Sequence, residues 1–204
     1  YFSEDPYLTG QMAASHVSGV QSQGVGTSVK HFVANNQETN RNLNDALISE
    51  RALREIYLKG FEIIVKESQP WTIMSSYNKV NGTYASDHKK LMREVLKGEW
   101  GHKGLVVTDW GAMNDRPVAL QAGTELEMPG CPNGNDDKIV AAVRSGRLPP
   151  SALDCRMHRD GADCGGVVAS SNRNVVRAIV GNETQLQGIL DYDDLISYLD
   201  QARL

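Results

Sequence analysis

Polar side chains recur in this sequence within or directly after short β-rich runs. Lys30 and His31, Tyr77 and Asp109 occupy such positions. A carboxylate can act as a nucleophile or as a general base, and neighbouring cations favour the ionised form that both roles require. These residues are therefore candidates for acid–base or nucleophilic chemistry centred on Asp109.

Each candidate also has a purely structural interpretation. An Asp that follows a strand is often the N-cap of the next helix, and an adjacent Lys–His pair is usually solvated. Cys155, His158 and Cys164 lie close together in the sequence, but their spacing fits no common zinc site and a fourth ligand is not obvious. Ordinary thiols are expected there, and neither a metal site nor a cofactor is predicted.

Alternating strands and helices are predicted to position the candidate residues. Runs of β-branched and apolar residues predict strands at 28–33, 71–77, 104–109 and 126–128. Helices are predicted from near Ser49, from Ser86 or Asp87 to Gly101, over 112–122 and over 136–144. The apolar residues of the first two recur at helical spacing: Leu53, Ile56, Tyr57, Gly60 and Ile64, then Leu91, Met92, Val95, Leu96 and Trp100. Asn81-Gly82 marks a turn.

This alternation indicates an α/β fold with a parallel sheet, for which two architectures remain open. A (β/α)8 barrel gathers the C-terminal ends of all its strands around one site, whereas an open doubly wound sheet has its site at one switch point. The repeated polar residues at strand ends favour the barrel. A complete barrel needs about 250 residues, so the prediction is an incomplete (β/α)8 TIM-barrel-type domain, truncated at the N-terminal side.

Composition limits the possible functions. The 204 residues include 40% apolar and 23% charged residues, which is ordinary for a globular protein. A net charge of -4 argues against nucleic-acid binding, and no apolar run approaches the roughly 18 residues that a membrane span needs. The chain opens at Tyr1 without an initiator Met, so it is expected to begin within a longer sequence and its compartment is not predicted.

Several motifs follow one another in a defined order. They are Ser3-Glu4-Asp5-Pro6, Lys30-His31-Phe32, Asn35-Asn36-Gln37-Glu38, Arg41, the segments 49–57 and 74–82, Thr108-Asp109-Trp110, and the segment 123–130. This order resembles glycoside hydrolase family 3, most closely its bacterial β-glucosidase branch, and the resemblance covers about residues 1–154. Residues 155–204 differ in character and are expected to be an atypical tail of frame-shifted or chimeric origin.

The resemblance implies a retaining, exo-acting β-glycosidase that acts on a β-glucoside or a short oligosaccharide. Asp109 of the Thr-Asp-Trp motif corresponds to the nucleophile. Matching motif positions imply sugar-binding or pocket-lining roles for Lys30, His31, Arg41, Met74, Tyr77 and Trp110. Glu127 is expected to be structural, because the family carries its general acid/base elsewhere. A related branch, the β-N-acetylglucosaminidases, is set aside because residues 33–40 contain no histidine.

The resemblance also implies parts that this chain does not contain. Family members have a further portion of the barrel before the Ser-Glu-Asp-Pro motif, and a second α/β domain that bears the acid/base glutamate. That second domain is the expected partner of this chain. Two functional hypotheses stay open: a β-glucosidase-type hydrolase to which this chain contributes the nucleophile, and an inactive sugar-binding fragment that lacks the acid/base.

Overall fold

The computed structural model describes residues 2–129 and 135–149. The chain divides into two compact units, Tyr1–Cys131 and Pro132–Leu204. The predicted tail at 155–204 lies outside the described residues, as do Cys155, His158 and Cys164. Residues 2–129 belong to the first unit, and residues 135–149 belong to the second.

Strands and helices alternate along the described residues. The strands are β1 (Ser28–Phe32), β2 (Asp45–Ala46), β3 (Thr72–Ser75), β4 (Lys79–Val80), β5 (Thr83–Tyr84) and β6 (Leu105–Thr108). The helices are α1 (Pro6–Gln21), α2 (Glu50–Ala52, Leu53–Tyr57 and Lys59–Ser68 in succession), α3 (Lys90–Glu99), α4 (Arg116–Ala122) and α5 (Asn135–Arg144). The middle part of α2 and the whole of α3 are π-helical. None of the described helices combines the length and the apolar character required to cross a bilayer.

Three parallel strands form the main sheet, in the order β1-β3-β6. A single parallel bridge joins Leu126 to Val107 of β6 at the outer side of this sheet. Within this sheet the strands are therefore arranged in the order in which they occur along the chain, as a (β/α)8 barrel requires. The strands predicted near 28, 71 and 104 are confirmed with slightly shorter bounds, whereas the fourth is reduced to the Leu126 bridge.

A second, smaller sheet was not predicted from the sequence. Strand β2 pairs in parallel with β4, and β4 pairs antiparallel with β5. The hairpin turn between β4 and β5 is the predicted Asn81-Gly82, and both residues have positive φ, 50° and 88°. Two left-handed residues suit a tight hairpin, because their twist matches that of the strands. Strands of two residues are too short to produce a periodic signal in the sequence.

Helix α1 was also not predicted as a helix, although its start carries a clear signal. The Asp5 carboxylate accepts hydrogen bonds from the backbone N–H groups of Tyr7 and Leu8, and Pro6 is the first helical residue. A Cβ built on Gly10 would lie 2.8 Å from Cδ1 of Ile63 in α2. Glycine at this position therefore allows α1 to pack closely against α2.

The predicted helices are present, with three differences in detail. The apolar face of α3 is buried as expected, and it comprises Leu91, Met92, Val95 and Leu96, with Trp100 buried directly after the helix. The residues proposed to start this helix, Ser86 and Asp87, lie instead in a preceding 3-10 turn, Ala85–Asp87. Ile56 in the apolar series of α2 is 53% exposed. Helix α4 begins at Arg116 rather than 112, because Asp115 is its N-cap and accepts a hydrogen bond from Val118 N–H.

Asp87 is a buried carboxyl group with an incomplete set of hydrogen bonds. Asn114 Nδ2 donates to its Oδ2 at 2.7 Å, whereas its Oδ1 has no hydrogen-bond partner among the described residues. Burial raises the pKa of the Asp87 carboxyl, and the hydrogen bonds from Asn114 and the Asp115 backbone oppose that effect. Ionised Asp87 is consequently disfavoured in the folded chain relative to the unfolded chain.

Asp87→Asn is expected to raise the free energy of unfolding at pH 7 relative to pH 4, because the folded chain no longer holds an ionised carboxyl at this buried position. A carboxyl whose folded pKa is raised destabilises the fold once it is ionised, and this cost disappears below the unfolded pKa of about 3.9. The gain should therefore shrink as the pH falls toward 4. Urea unfolding at several pH values measures it, with the exposed Asp137→Asn as the matched control. A gain that does not depend on pH would contradict this explanation.

Candidate active site

Asp109 and His31 meet at the C-terminal edge of the main sheet. Asp109 follows β6 and His31 belongs to β1, on opposite sides of the central strand β3. His31 Nε2 lies 3.2 Å from Asp109 Oδ2, and the Trp110 backbone N–H donates to Asp109 Oδ1 at 2.8 Å. Both carboxylate oxygens therefore have a polar neighbour. The Asp109 side chain keeps 13% of its surface exposed, so one face of the carboxylate remains accessible to a ligand.

His31 is held in its neutral form. Burial lowers the pKa of His31, and this effect outweighs the Asp109 carboxylate, which raises it. The cations Lys30 and Arg41 lower the pKa of His31 further, while Glu38 raises it. A neutral imidazole carries one N–H, on either Nδ1 or Nε2. The contact between His31 and Asp109 is therefore not an ion pair at neutral pH.

Tyr77 and Arg41 stack beside this carboxylate. The Tyr77 hydroxyl donates to the Trp110 carbonyl at 2.7 Å, and the Arg41 guanidinium carbon lies 4.4 Å from the centroid of the Tyr77 ring. Burial raises the pKa of Tyr77, and the negative charge of Asp109 adds to the increase. Tyr77 thus stays protonated as a donor, and its ring gives Arg41 a favourable cation–π contact.

Arg41 is oriented by two further residues that sequence reasoning did not single out. Glu38 Oε2 accepts from Arg41 Nη1 at 2.8 Å, and Asn35 Nδ2 donates to Glu38 Oε1 at 3.1 Å. Their only sequence signal was membership of the Asn-Asn-Gln-Glu motif. These contacts, with the Tyr77 stack, place a positive charge at the border of the site.

The remaining predicted site residues surround the same edge of the sheet. Met74 lies in β3 and is 7% exposed, and Trp110 follows Asp109 directly and is 47% exposed. Lys30 is exposed in β1 next to His31. Glu127 forms an ion pair with Arg116, with Nε 3.6 Å from Oε2, which agrees with its expected structural role. Among the described residues, no group of three His, Cys, Asp or Glu side chains is arranged to hold a metal ion.

The end of β3 connects the two sides of the site. Ser76 N–H donates to the Phe32 carbonyl at 2.8 Å, and Asp109 N–H donates to the Ser75 carbonyl at 3.2 Å. The Ser76 hydroxyl and the Asn78 amide both donate to the Val33 carbonyl, at 3.0 and 3.2 Å. The backbone around His31 and the backbone of Asp109 are therefore both anchored to one strand.

A family model for the glycosyl hydrolase family 3 N terminal domain matches residues 1–159. The chain belongs to glycoside hydrolase family 3. The N-terminal domain of this family is of the TIM-barrel type, which agrees with the sequential parallel order of β1, β3, β6 and Leu126. The α/β, barrel-type fold class predicted from the sequence is confirmed at this level.

Curated members of family 3 are similar over most of this chain. It is 55% identical over 159 residues to thermostable beta-glucosidase B of Acetivibrio thermocellus, an alignment that covers 78% of this chain and 21% of that protein. It is 58% identical over 154 residues to the exo-alpha-(1->6)-L-arabinopyranosidase of Bifidobacterium breve, covering 76% and 20%. The chain thus spans about a fifth of the length of the curated relatives that it matches.

Solved family 3 structures agree with the fold. The Bifidobacterium adolescentis GH3 beta-glucosidase superimposes with a TM-score of 0.76 and is 51% identical, covering 85% of this chain and 25% of that one. The beta-glucosidase 3B of Thermotoga neapolitana in complex with glucose superimposes with a TM-score of 0.73 and is 47% identical, covering 88% and 24%.

Proposed function

We propose that this chain supplies the nucleophile of a retaining glycoside hydrolase, and that Asp109 is that nucleophile. In a retaining mechanism one carboxylate attacks the anomeric carbon and forms a glycosyl-enzyme, which water then hydrolyses. The observation that carries the proposal is the Asp109 carboxylate itself. One of its oxygens contacts His31 Nε2 and the other accepts from the Trp110 N–H, and the side chain is partly open to a ligand.

The groups around Asp109 support a sugar ligand. Lys30 and Arg41 present donors suited to hydroxyl groups, and the neutral imidazole of His31 offers one donor or acceptor nitrogen. The exposed indole of Trp110 offers an apolar face to the C–H groups of a sugar ring. Tyr77 and the buried Met74 would complete the wall of the same pocket. Fixed donors orient the sugar for attack, and correct orientation contributes several kcal/mol to lowering a barrier of this kind.

The proposed substrate of the whole protein is a β-D-glucoside or a related pyranoside. The sugar that is cleaved off is the terminal residue, and the substrate includes short oligosaccharides. The similar curated proteins are named as beta-glucosidases and as arabinopyranosidases. A β-D-glucoside and an α-L-arabinopyranoside both carry an equatorial anomeric bond. They differ at C4 and in the C6 hydroxymethyl group. A single carboxylate can therefore attack the anomeric carbon of either glycoside from the same face of the ring.

We assign the general acid/base to no described residue of this chain. Glu127 is paired with Arg116 and Glu38 with Arg41. Retaining enzymes place the two carboxyl groups about 5–5.5 Å apart, and we propose that a second domain of the whole protein brings the acid/base within that distance. On the same reasoning the described strands are one part of a barrel, and preceding strands would complete it.

A labelling experiment tests the nucleophile without needing the acid/base. In 2,4-dinitrophenyl 2-deoxy-2-fluoro-β-D-glucoside the leaving group departs without protonation, and the fluorine slows hydrolysis of the glycosyl-enzyme. Incubation of the 204-residue chain with this reagent is expected to add one fluoroglucosyl group, which peptide mass spectrometry should locate on Asp109. A label on another carboxylate would refute the assignment. Glucose binding without any label would instead support the inactive sugar-binding fragment.

A further inference from the structure

A chain of buried hydroxyl groups lies beneath the turn that carries Asp109. Ser86, in the 3-10 turn after β5, and Ser75, at the end of β3, are both fully buried. Their Oγ atoms lie 3.0 Å apart, and the Ser86 hydroxyl lies 3.1 Å from the carbonyl oxygen of Ala112. Residues from three separate parts of the sequence therefore meet at one serine.

The direction of these hydrogen bonds follows from counting protons. A serine hydroxyl has one proton to donate, and the Ala112 carbonyl can only accept. The Ser86 proton is therefore directed at Ala112, so the Ser75 hydroxyl must donate to Ser86. Hydrogen bonds aligned in one direction polarise and strengthen one another. Ser86 is the middle member of this chain, and its removal breaks both links.

The hydroxyl chain spans the turn on which Asp109 lies. The Asp109 N–H donates to the Ser75 carbonyl at 3.2 Å, and the Ala112 N–H donates to the Asp109 carbonyl at 3.0 Å. Ser75 and Ala112 are thus bonded to Asp109 through the backbone and to each other through Ser86. The result is a closed set of contacts that determines how far the turn 109–112 stands from β3.

Ser86 is itself held by a third element. The Thr124 hydroxyl donates to the Ser86 carbonyl at 2.7 Å, and Thr124 is fully buried. The Gly111 N–H donates to the Met128 carbonyl at 2.8 Å, so the turn keeps another anchor if Ser86 is changed. Loss of the Ser86 hydroxyl should consequently displace the turn rather than unfold it.

We infer that Ser86 is a positioning residue that sets the distance between the Asp109 carboxylate and the anomeric carbon of the bound sugar. The inference rests on the proposed role of Asp109 as the nucleophile. Ser86 does not touch Asp109 through its side chain, and it acts through Ser75 and the Ala112 carbonyl. Displacement of a reacting group by about 1 Å can reduce a rate by about a hundredfold.

Three variants separate positioning from general stability. Ser86→Ala removes both the Ser75–Ser86 and the Ser86–Ala112 hydrogen bonds, and Ser75→Ala removes only the Ser75–Ser86 bond. Thr72→Val is the matched control, because it removes a buried hydroxyl that donates to the Thr27 carbonyl at 3.1 Å, at the opposite end of the same strand β3. All three variants should lose some stability, since each loses a buried hydrogen bond.

Two measurements are made on the full 204-residue chain. The first is the rate constant of fluoroglucosyl labelling at saturating reagent, which should fall about tenfold or more in Ser86→Ala, less in Ser75→Ala, and at most about twofold in Thr72→Val. The reagent concentration for half-maximal rate should change little. The second is backbone amide exchange, which should become faster in segment 109–112 of Ser86→Ala but not of Thr72→Val.

The outcomes distinguish this inference from the proposed function. If the unchanged chain is not labelled, the proposed function fails for this chain, and amide exchange then decides whether Ser86 holds the turn. Equal exchange of segment 109–112 in Ser86→Ala and Thr72→Val would overturn the inference, whatever the labelling. Faster exchange with an unchanged labelling rate would overturn it as well, because the turn would then move without affecting the attack.

Discussion

Asp109→Asn should reduce fluoroglucosyl labelling of this chain by about three orders of magnitude or more. An amide is nearly isosteric with a carboxylate but lacks the charge that makes the oxygen a nucleophile, and loss of a covalent nucleophile is among the largest single effects on a rate. The hydrogen bond from the Trp110 N–H to Oδ1 can persist with the amide oxygen as acceptor. The labelling rate constant, measured by intact-protein mass spectrometry, gives the effect.

Asp115→Asn is the matched control for this prediction. It makes the same chemical change six residues later, at the N-cap of α4, where the side chain accepts from the Val118 N–H. Asn is as good an N-cap as Asp, so the control should keep both stability and labelling. Equal losses in the two variants would indicate a general effect on the fold. Full labelling of Asp109→Asn would remove Asp109 from the mechanism.

Phe32→Ala should lower the free energy of unfolding by about 3–5 kcal/mol. Phe32 is completely buried in β1, and its ring makes edge-on contacts with Phe61 and Trp100, with centroids 5.0 and 6.2 Å away. Truncation to the Cβ leaves a cavity between β1, α2 and the residue that follows α3. Because Phe32 is next to His31, the cavity also loosens one side of the site. Denaturant unfolding measures the loss.

Phe2→Ala serves as the comparison, because the same side chain is removed from a position that is 50% exposed. Its cost should stay well below that of Phe32→Ala, since little of the lost surface was protected from water. Phe32→Leu should lie between the two, because most of the volume is retained. If Phe32→Ala and Phe2→Ala cost the same, Phe32 would not be a central member of the core.

The convergence of His31, Tyr77 and Asp109 was predictable because parallel strands in sequential order present their C-terminal ends at one edge. That argument needs only the positions of strands, which apolar runs reveal. The barrel prediction depended on the same regularity. The family motifs added the identity of the residues, including Arg41, which lies in no strand.

Other contacts of the site could not be predicted, because they join residues far apart in the sequence. Ser86 and Ala112 are 26 residues apart. The residues next to a serine in the sequence do not indicate that its hydroxyl will donate to a distant carbonyl. The sequence instead indicates that Ser86 or Asp87 starts a helix as its N-cap, a common local role for both residue types. The stack of Arg41 on Tyr77 also joins residues that are far apart in the sequence, so it was not predictable either. Local patterns predict elements, whereas side-chain partners depend on how the elements pack.

The hydrogen bonds at the end of β3 anchor Asp109 independently of the segment that carries Arg41. The backbone next to His31 is tied to Ser76 and Asn78, while that of Asp109 is tied to Ser75. In these hydrogen bonds, the backbone after His31 and the backbone of Asp109 are each bonded to the end of β3 and not to each other. An insertion or deletion in segment 36–44 would alter the positions of Glu38 and Arg41, but it would leave the hydrogen bond from the Asp109 N–H to the Ser75 carbonyl in place.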